Sequence, residues 1–279
     1  MPFSLIKGTF HIKGYAPDGD SLRFEAADTA TWAKLGGNPV ARNTRGHAQL
    51  RLEAIDTLET HYKGQHQPLD LALKALDFLL KGLGIEDLQT DAQLSVVMAV
   101  QDGTPGYVLS RATDKYRRPI AFVFAGDTPE SDGSSVFLTP ERLRYSINYQ
   151  LLLAGLAFPT YYNGLFHDLR EVCTEAVREA RVDGRGIWAL DCTNTGLVVE
   201  GLKSITDHCV IMPKLFRRLI DYMDGGELWQ PGFLEWLQGR QEKVFIISKA
   251  HFTHLDTLVE VNGKRIVLLE PPENLIFMD

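Results

Sequence analysis

Residues 16–27 read Ala16-Pro17-Asp18-Gly19-Asp20-Ser21-Leu22-Arg23-Phe24-Glu25-Ala26-Ala27, a polar turn followed by a segment that alternates apolar and charged side chains. Pro, Asp and Gly in a row favour a turn: Pro pre-sets φ, Asp bonds to nearby backbone, and Gly accepts positive φ. The alternation that follows, Leu22 and Phe24 against Arg23 and Glu25, belongs to a strand with one buried face. Residues 4–15 alternate in the same way before the turn. Two half-buried strands therefore flank Asp18-Gly19-Asp20.

Working outward, Leu50 to Ile55 alternates as a third strand. Pro68 to Lys81 carries Leu69, Leu71, Leu73, Ala75, Leu76, Leu79 and Leu80, and Gly82 and Gly84 follow it, which predicts a helix with a glycine stop. Gln93 to Val100 and Ile120 to Ala125 read as strands four and five, and helices are expected around Tyr145–Leu156 and Asp168–Arg181. Five strands with a helix between the third and fourth predict an α+β, β-rich fold: a five-stranded Greek-key barrel of the OB type with about three helices. From Asp191 onward the pattern changes. Met212 to Met223 and Phe233 to Leu237 are helical in pattern and Val244 to Ser248 is strand-like. Asn262-Gly263 between two apolar runs predicts a type I′ hairpin. The expected division is a barrel domain over 1–190 and a small α+β extension over 191–279, packed against it.

The 279 residues are enough for a substantial core, with ordinary apolar and charged fractions. The longest apolar run, Leu151 to Phe158, is far too short to span a bilayer, so no membrane association is expected. The first eight residues already alternate like a strand and carry no secretion signal, which leads us to expect a cytoplasmic protein. Cys173, Cys192 and Cys209 form neither a disulfide framework nor a paired metal motif. The net charge of -7 argues against a broad nucleic-acid-binding face. Arg111, Lys115, Arg117 and Arg118, opposed only by Asp114, and then Arg142 and Arg144, nevertheless form local basic clusters.

Asp20 opens strand two and Asp56 closes strand three; antiparallel pairing of those strands would bring the two carboxylates to one rim. Such hard oxygen ligands suit Ca²⁺ or Mg²⁺ rather than zinc. Glu59 is the natural group to orient or deprotonate a water. Arg51 and Arg118 offer planar forks that match phosphate oxygens. Together these are the parts that hydrolysis of a phosphodiester needs.

Four segments in order resemble the staphylococcal-nuclease (thermonuclease) family over roughly residues 5–190. Asp18-Gly19-Asp20 is similar to its D-G-D turn, and Arg51 with Ile55-Asp56-Thr57-Leu58-Glu59 to its R-x(4)-D-T-P-E segment. Asp114-Lys115-Tyr116-Arg117-Arg118 resembles D-K-Y-G-R, and Gly155-Leu156-Ala157 with Gly186-Ile187-Trp188 resembles its closing features. The resemblance implies metal ligands at the Asp20 and Asp56 carboxylates and the Thr57 carbonyl, with Ca²⁺ the expected ion and Mg²⁺ the alternative. It puts the water-orienting role on Glu59 and the phosphate-binding roles on Arg51 and Arg118. Substrate contacts fall on Lys115, Tyr116, the neighbouring Arg117 and Tyr161. It also implies a DNA or RNA substrate and 3′-phosphate products.

The chain departs from that pattern in three places. Leu58 stands where the family has proline, which removes a φ constraint beside Glu59. Arg117 replaces a glycine. The connection 28–48, with Trp32, Arg42, Arg45 and His47, is much longer and belongs at the rim away from Asp20 unless it folds back. Arg51 and Asp56 also lie an odd number of residues apart, so their convergence needs a bulge or bend. Two other readings compete with the enzyme: a non-cleaving binding module on the same barrel, and a C-terminal unit that recruits a protein partner or covers the site.

Overall fold

The computed structural model describes residues 2–278 apart from 87, 92, 93, 225 and 227. Strands β1 (Phe3–His11) and β2 (Ser21–Ala26) pair antiparallel, with Phe10 opposite Phe24. β3 (Ala48–Leu52) continues antiparallel from β2, so that Ser21 faces Arg51 and Phe24 faces Ala48. β4 (Thr104–Thr113) and β5 (Pro119–Ala125) complete the wall. The order β1-β2-β3-β5-β4 returns to β1 as a closed five-stranded barrel, with β3 and β5 parallel and the other neighbours antiparallel. This arrangement is consistent with an OB-like barrel within an α+β fold. Alternation decides which face is inside: Leu22, Phe24, Leu50, Leu52, Val108 and Phe122 are buried. Each such side chain contributes roughly 1.5–3 kcal/mol by leaving water.

The fourth strand is not where the alternation of Gln93–Val100 places it. Gln93 lies outside the described residues, and Val96–Met98 forms only a short hairpin with Gln89–Thr90. The barrel instead uses Thr104–Thr113, whose Pro105-Gly106 has the composition of a break. Gly106 is required there by close approach. It sits directly opposite Gly8, and a Cβ on it would come within 2.3 Å of the Phe10 ring. A Cβ on Gly8 would come within 2.0 Å of the Glu25 carbonyl oxygen.

The long connection 28–48 folds back. Asp28 caps a short helical turn, Thr29–Lys34, whose Trp32 stacks edge-on against Phe24. Further on, Gly36 N–H donates to the Arg111 carbonyl and Thr113 N–H donates to the Gly36 carbonyl. The segment then reaches the turn after β4, where Ala41 N–H donates to the Arg117 carbonyl.

Two compact units divide the chain, one of residues 1–53 and 74–151, the other of 54–73 and 152–279. This differs from the expected boundary at 190. The physical reason is a parallel ladder in which Tyr161 and Tyr162 face Ile276 and Phe277, which joins residues 152–190 to the C-terminal strands. The helices are α1 (Leu69–Gly82), α2 (Ile147–Leu153), α3 (His167–Val182), α4 (Pro213–Met223) and α5 (Phe233–Arg240). A further single turn, Pro140–Leu143, is capped by Thr139, so residues 1–190 carry four α-helical segments among the described residues rather than three. The C-terminal hairpin forms, but its two-residue turn is Gly263-Lys264. Positive φ falls on Gly263 and not on Lys264, the pattern of a type II′ turn rather than I′. Among the described residues no helix is long and apolar enough to cross a membrane.

Candidate active site

Strand register assembles part of the expected constellation on the barrel unit. Ser21, Arg51 and Ile120 are partners across three adjacent strands, and Leu52 N–H donates to the Asp20 carbonyl at 3.0 Å. Asp20 directly precedes Ser21, and Arg118 lies two residues before Ile120 on the side where β5 begins. Asp20, Arg51 and Arg118 thus come to one stretch of the barrel rim.

Arg118 is held in place from its own turn. The buried Asp114 carboxylate accepts from the Tyr116 and Arg118 backbone N–H groups through Oδ1, each at 2.9 Å. Its Oδ2 accepts from Arg118 Nε and Nη2 at 2.8 Å. One edge of the guanidinium is therefore fixed by a charge-assisted pair, which sets its orientation. Tyr116 is 66 % exposed, with Lys115 Nζ at 5.3 Å and Arg118 Cζ at 5.5 Å from its ring centroid. That is an exposed aromatic face between two cations, suited to a phosphate-bearing base. Arg117 takes φ +67°, a conformation that glycine adopts freely and an L-residue does not. Its Nε donates to the Pro39 carbonyl at 2.8 Å, so its side chain anchors the folded-back connection.

The other expected residues lie on the second unit. The strand carrying Arg51 ends at Leu52, and Ala54 turns with φ +71° before the two-residue strand Ile55–Asp56. Arg51 and Asp56 therefore do not lie on one regular strand. Asp56 pairs with Phe158 in a short ladder and is 5 % exposed. Thr57 is buried next to it. The Glu59 loop is held in spite of Leu58. Glu59 N–H donates to Gln67 Oε1 at 3.2 Å, and Gln67 N–H donates back to the Glu59 carbonyl at 2.9 Å. Gln67 is fully buried, and its Nε2 donates to the Ile211 carbonyl at 2.8 Å. A side-chain clamp thus fixes the backbone at Glu59.

Tyr161 requires correction. It has no exposed surface, and its hydroxyl lies 2.9 Å from Thr174 Oγ1. Burial raises its pKa well above the ordinary value. It is a core residue of the second unit and presents nothing to a substrate.

A residue that sequence reasoning passed over dominates the second unit. Arg217, on α4, forks onto Asp56, with Nη1 2.9 Å from Oδ1 and Nη2 2.7 Å from Oδ2. The same Nη1 donates to Glu59 Oε1 at 2.5 Å. Burial works against the Arg217 charge, but Asp56 and then Glu59 outweigh it and hold its pKa well above the usual arginine value. One turn along, Asp221 accepts from Tyr62 Oη at 2.9 Å and pairs with Lys63 at 2.7 Å. Residues 56–67 are thus bound to the 211–221 segment at Asp56, Glu59, Tyr62, Lys63 and Gln67. No local signal marks Arg217 in the sequence, because its partners are about 160 residues away.

The chemistry of the donor set and its present state do not agree. Carboxylates such as Asp56 and Glu59 are proper ligands for a hard cation. Both Asp56 oxygens are bonded to Arg217, however, so a cation bound there would compete with a guanidinium for the charge of the same carboxylate. A scan of protein-family models gives no match to this chain, and a search of curated proteins gives none either.

Proposed function

We propose that this chain is a phosphodiester-hydrolysing nuclease for DNA or RNA, of the staphylococcal-nuclease type, with a resting state in which Arg217 neutralises the reactive carboxylates. The observation that supports it is the strand register that aligns Asp20, Arg51 and Arg118, with Arg118 oriented by Asp114. Arg51 and Arg118 grip phosphate oxygens and stabilise the charge that develops on them. Glu59, once separated from Arg217, takes a proton from the attacking water. The water oxygen bonds to phosphorus as the bond to the 5′-oxygen breaks, the 5′-oxygen leaves as a hydroxyl by taking up a proton, and a 3′-phosphate remains, as the family resemblance implies. Ca²⁺, or Mg²⁺, is the cofactor this reading requires, with Asp20, Asp56 and the Thr57 carbonyl as its ligands.

The second reading, a non-cleaving nucleic-acid-binding module, also has an observation in its favour. A buried guanidinium shared by Asp56 and Glu59 offsets part of their charge with a side chain of the chain itself. The two readings part in one assay: the full chain incubated with single- and double-stranded DNA and RNA, with Ca²⁺, Mg²⁺ or EDTA. Divalent-dependent cutting, abolished by Asp20→Asn and lowered by about 10²–10⁴-fold in Glu59→Gln, supports the enzyme. Tight metal-independent binding without cutting leaves the module. End-group analysis tests the 3′-phosphate separately.

A further inference from the structure

The opposite end of β2 carries a second cluster of donor atoms that the nuclease reading does not use. Five residues along from Asp20, about 16 Å at strand rise, Glu25 stands on the outer face of the barrel. Thr9 is its partner on β1. His47, just before β3, continues the β2–β3 register onto Glu25, and His11 lies two residues beyond Thr9. One ligand atom from each of His11, Glu25 and His47 lies within 4.8 Å of the others.

The ring nitrogens of His11 are sorted by its neighbours, and those of His47 each meet a polar group. Asp102 Oδ1 accepts from the Ile12 and Lys13 backbone N–H groups, which fixes the carboxylate, and its Oδ2 lies 3.1 Å from His11 Nδ1. His11 Nδ1 is therefore the donor, and in the neutral ring Nε2 is a lone pair. That atom lies 2.9 Å from Thr9 Oγ1 and 3.5 Å from Glu25 Oε2. On His47, Nδ1 contacts the Tyr15 hydroxyl at 3.0 Å, and Nε2 faces the same Glu25 oxygen at 3.9 Å. Tyr15 is held in turn by Asn43 Nδ2 at 2.7 Å. Each imidazole thus has a polar partner on Nδ1 and turns Nε2 toward one carboxylate oxygen, the outer-shell pattern that orients metal-bound histidines.

We propose that His11, Glu25 and His47 form a binding site for a divalent transition metal of the zinc class, with a fourth position open to solvent. Two imidazoles and a carboxylate match the donors of open zinc sites, whereas nitrogen-rich sets do not suit Ca²⁺. At zinc–ligand distances near 2.0–2.1 Å the edge of a tetrahedron is about 3.3 Å. The two nitrogen–oxygen separations of 3.5 and 3.9 Å are close to that edge. The rings are stacked at present, centroids 4.0 Å apart and inclined by 20°. A bound ion lies in the plane of each ring, so the imidazoles tilt out of the stack on capture. His47 is 6 % exposed, and the half-exposed Glu25 closes the outer side. Beyond Glu25 lies an open groove of about 340 Å³ lined by Lys7, Thr9, Pro105 and Asp127.

The test is titration of the chelator-treated full chain with Co²⁺, followed by displacement with Zn²⁺, with Ca²⁺ as a control ion. One equivalent of Co²⁺ with a visible absorption band of low coordination number, removed by Zn²⁺ and untouched by Ca²⁺, is expected. Glu25→Gln, at an exposed position that keeps the fold, should weaken binding at least tenfold. Asp102→Asn should weaken it roughly ten- to a hundredfold through His11. His47→Ala should abolish the band, with circular dichroism reporting whether the variant is folded. Absence of stoichiometric Co²⁺ or Zn²⁺ binding at micromolar concentration overturns the proposal, as does unchanged binding in Glu25→Gln. Neither result depends on whether the chain cleaves nucleic acid.

Discussion

Arg217 is the residue on which the proposed resting state turns. Its guanidinium satisfies two carboxylates that are otherwise nearly shut off from water, with Asp56 at 8 % and Glu59 at 16 % side-chain exposure. Removing one partner of a buried pair leaves the other charge uncompensated, at a cost of roughly 3–5 kcal/mol. Arg217→Gln should therefore lower the stability of the metal-free protein by about that amount in denaturant unfolding. Added Ca²⁺ should restore more stability to the variant than to the wild type, by up to about 2.7 kcal/mol at a hundredfold excess over Kd. Equal Ca²⁺ responses would mean that Arg217 and a cation do not compete. Arg117 gives a second test at this scale. With φ at +67°, Arg117→Gly relieves backbone strain while losing the bond to Pro39, whereas Arg117→Ala loses the bond and keeps the strain. Gly should be more stable than Ala at this position by about 1 kcal/mol; the reverse order in thermal unfolding would show that strain is not the dominant effect. Gln67→Leu removes the acceptor for Glu59 N–H and the donor to the Ile211 carbonyl. Each orphaned group costs roughly 1–3 kcal/mol, and hydrogen exchange should report the loss at Glu59.

At the level of elements, what could be read in advance followed local pattern. The Asp18-Gly19-Asp20 turn, the three strands around it and α1, α3 and α4 all announce themselves by period and stop signals; the helices and the second strand lie within a residue of their expected bounds, whereas the first strand ends at His11 rather than at 15 and the third runs over Ala48–Leu52 rather than Leu50–Ile55. The fourth strand did not, because Pro105-Gly106 carries the local signature of a break while the barrel needs glycine opposite Gly8. Residues 152–190 were grouped with the barrel because motifs suggest continuity; pairing of Tyr161 with Ile276 across 115 residues of chain leaves no periodic trace. The same holds for α4. Its apolar face was legible, but the partners of Arg217, Arg218 and Asp221 lie elsewhere in the chain. Those partners make the element sensitive to acid. Burial raises the pKa of Asp221, but Lys63 and Tyr62 outweigh it; burial raises that of Glu242, but Arg218 and Lys214 outweigh it. Both net values lie below the ordinary ones of 3.8 and 4.5. A depressed folded pKa means that the unfolded chain binds the proton more tightly. Their stabilisation is fully present above pH 4.5 and is lost as the pH falls through the depressed values. Hydrogen-exchange protection in residues 57–67, corrected for the pH dependence of the intrinsic rate, should therefore fall below about pH 4, and protection factors that stay constant to pH 3 would contradict this.

At the level of the molecule, the acidic balance of the chain and the reading of a phosphate-binding enzyme are compatible because the grip is local. The net charge is -7, yet Lys115, Tyr116 and Arg118 form a cationic-aromatic group of their own on the barrel unit. Substrate association should then fall steeply with salt only to the extent of those few charges, far less than for a protein with a broad basic face. On the proposed nuclease reading, the pairing of Arg217 with Asp56 and Glu59 would hold activity down without any separate inhibitor. The most direct test is a cleavage assay of three full-length proteins, wild type, Arg217→Gln and Arg217→Gln with Glu59→Gln, on single-stranded DNA and RNA with Ca²⁺. Slow cutting by the wild type, faster cutting by Arg217→Gln, and none above background when Glu59 is also lost are the expected results. A folded Arg217→Gln protein that binds Ca²⁺ but cuts no faster than the wild type, or a double variant that cuts as fast as the single one, would contradict the proposal.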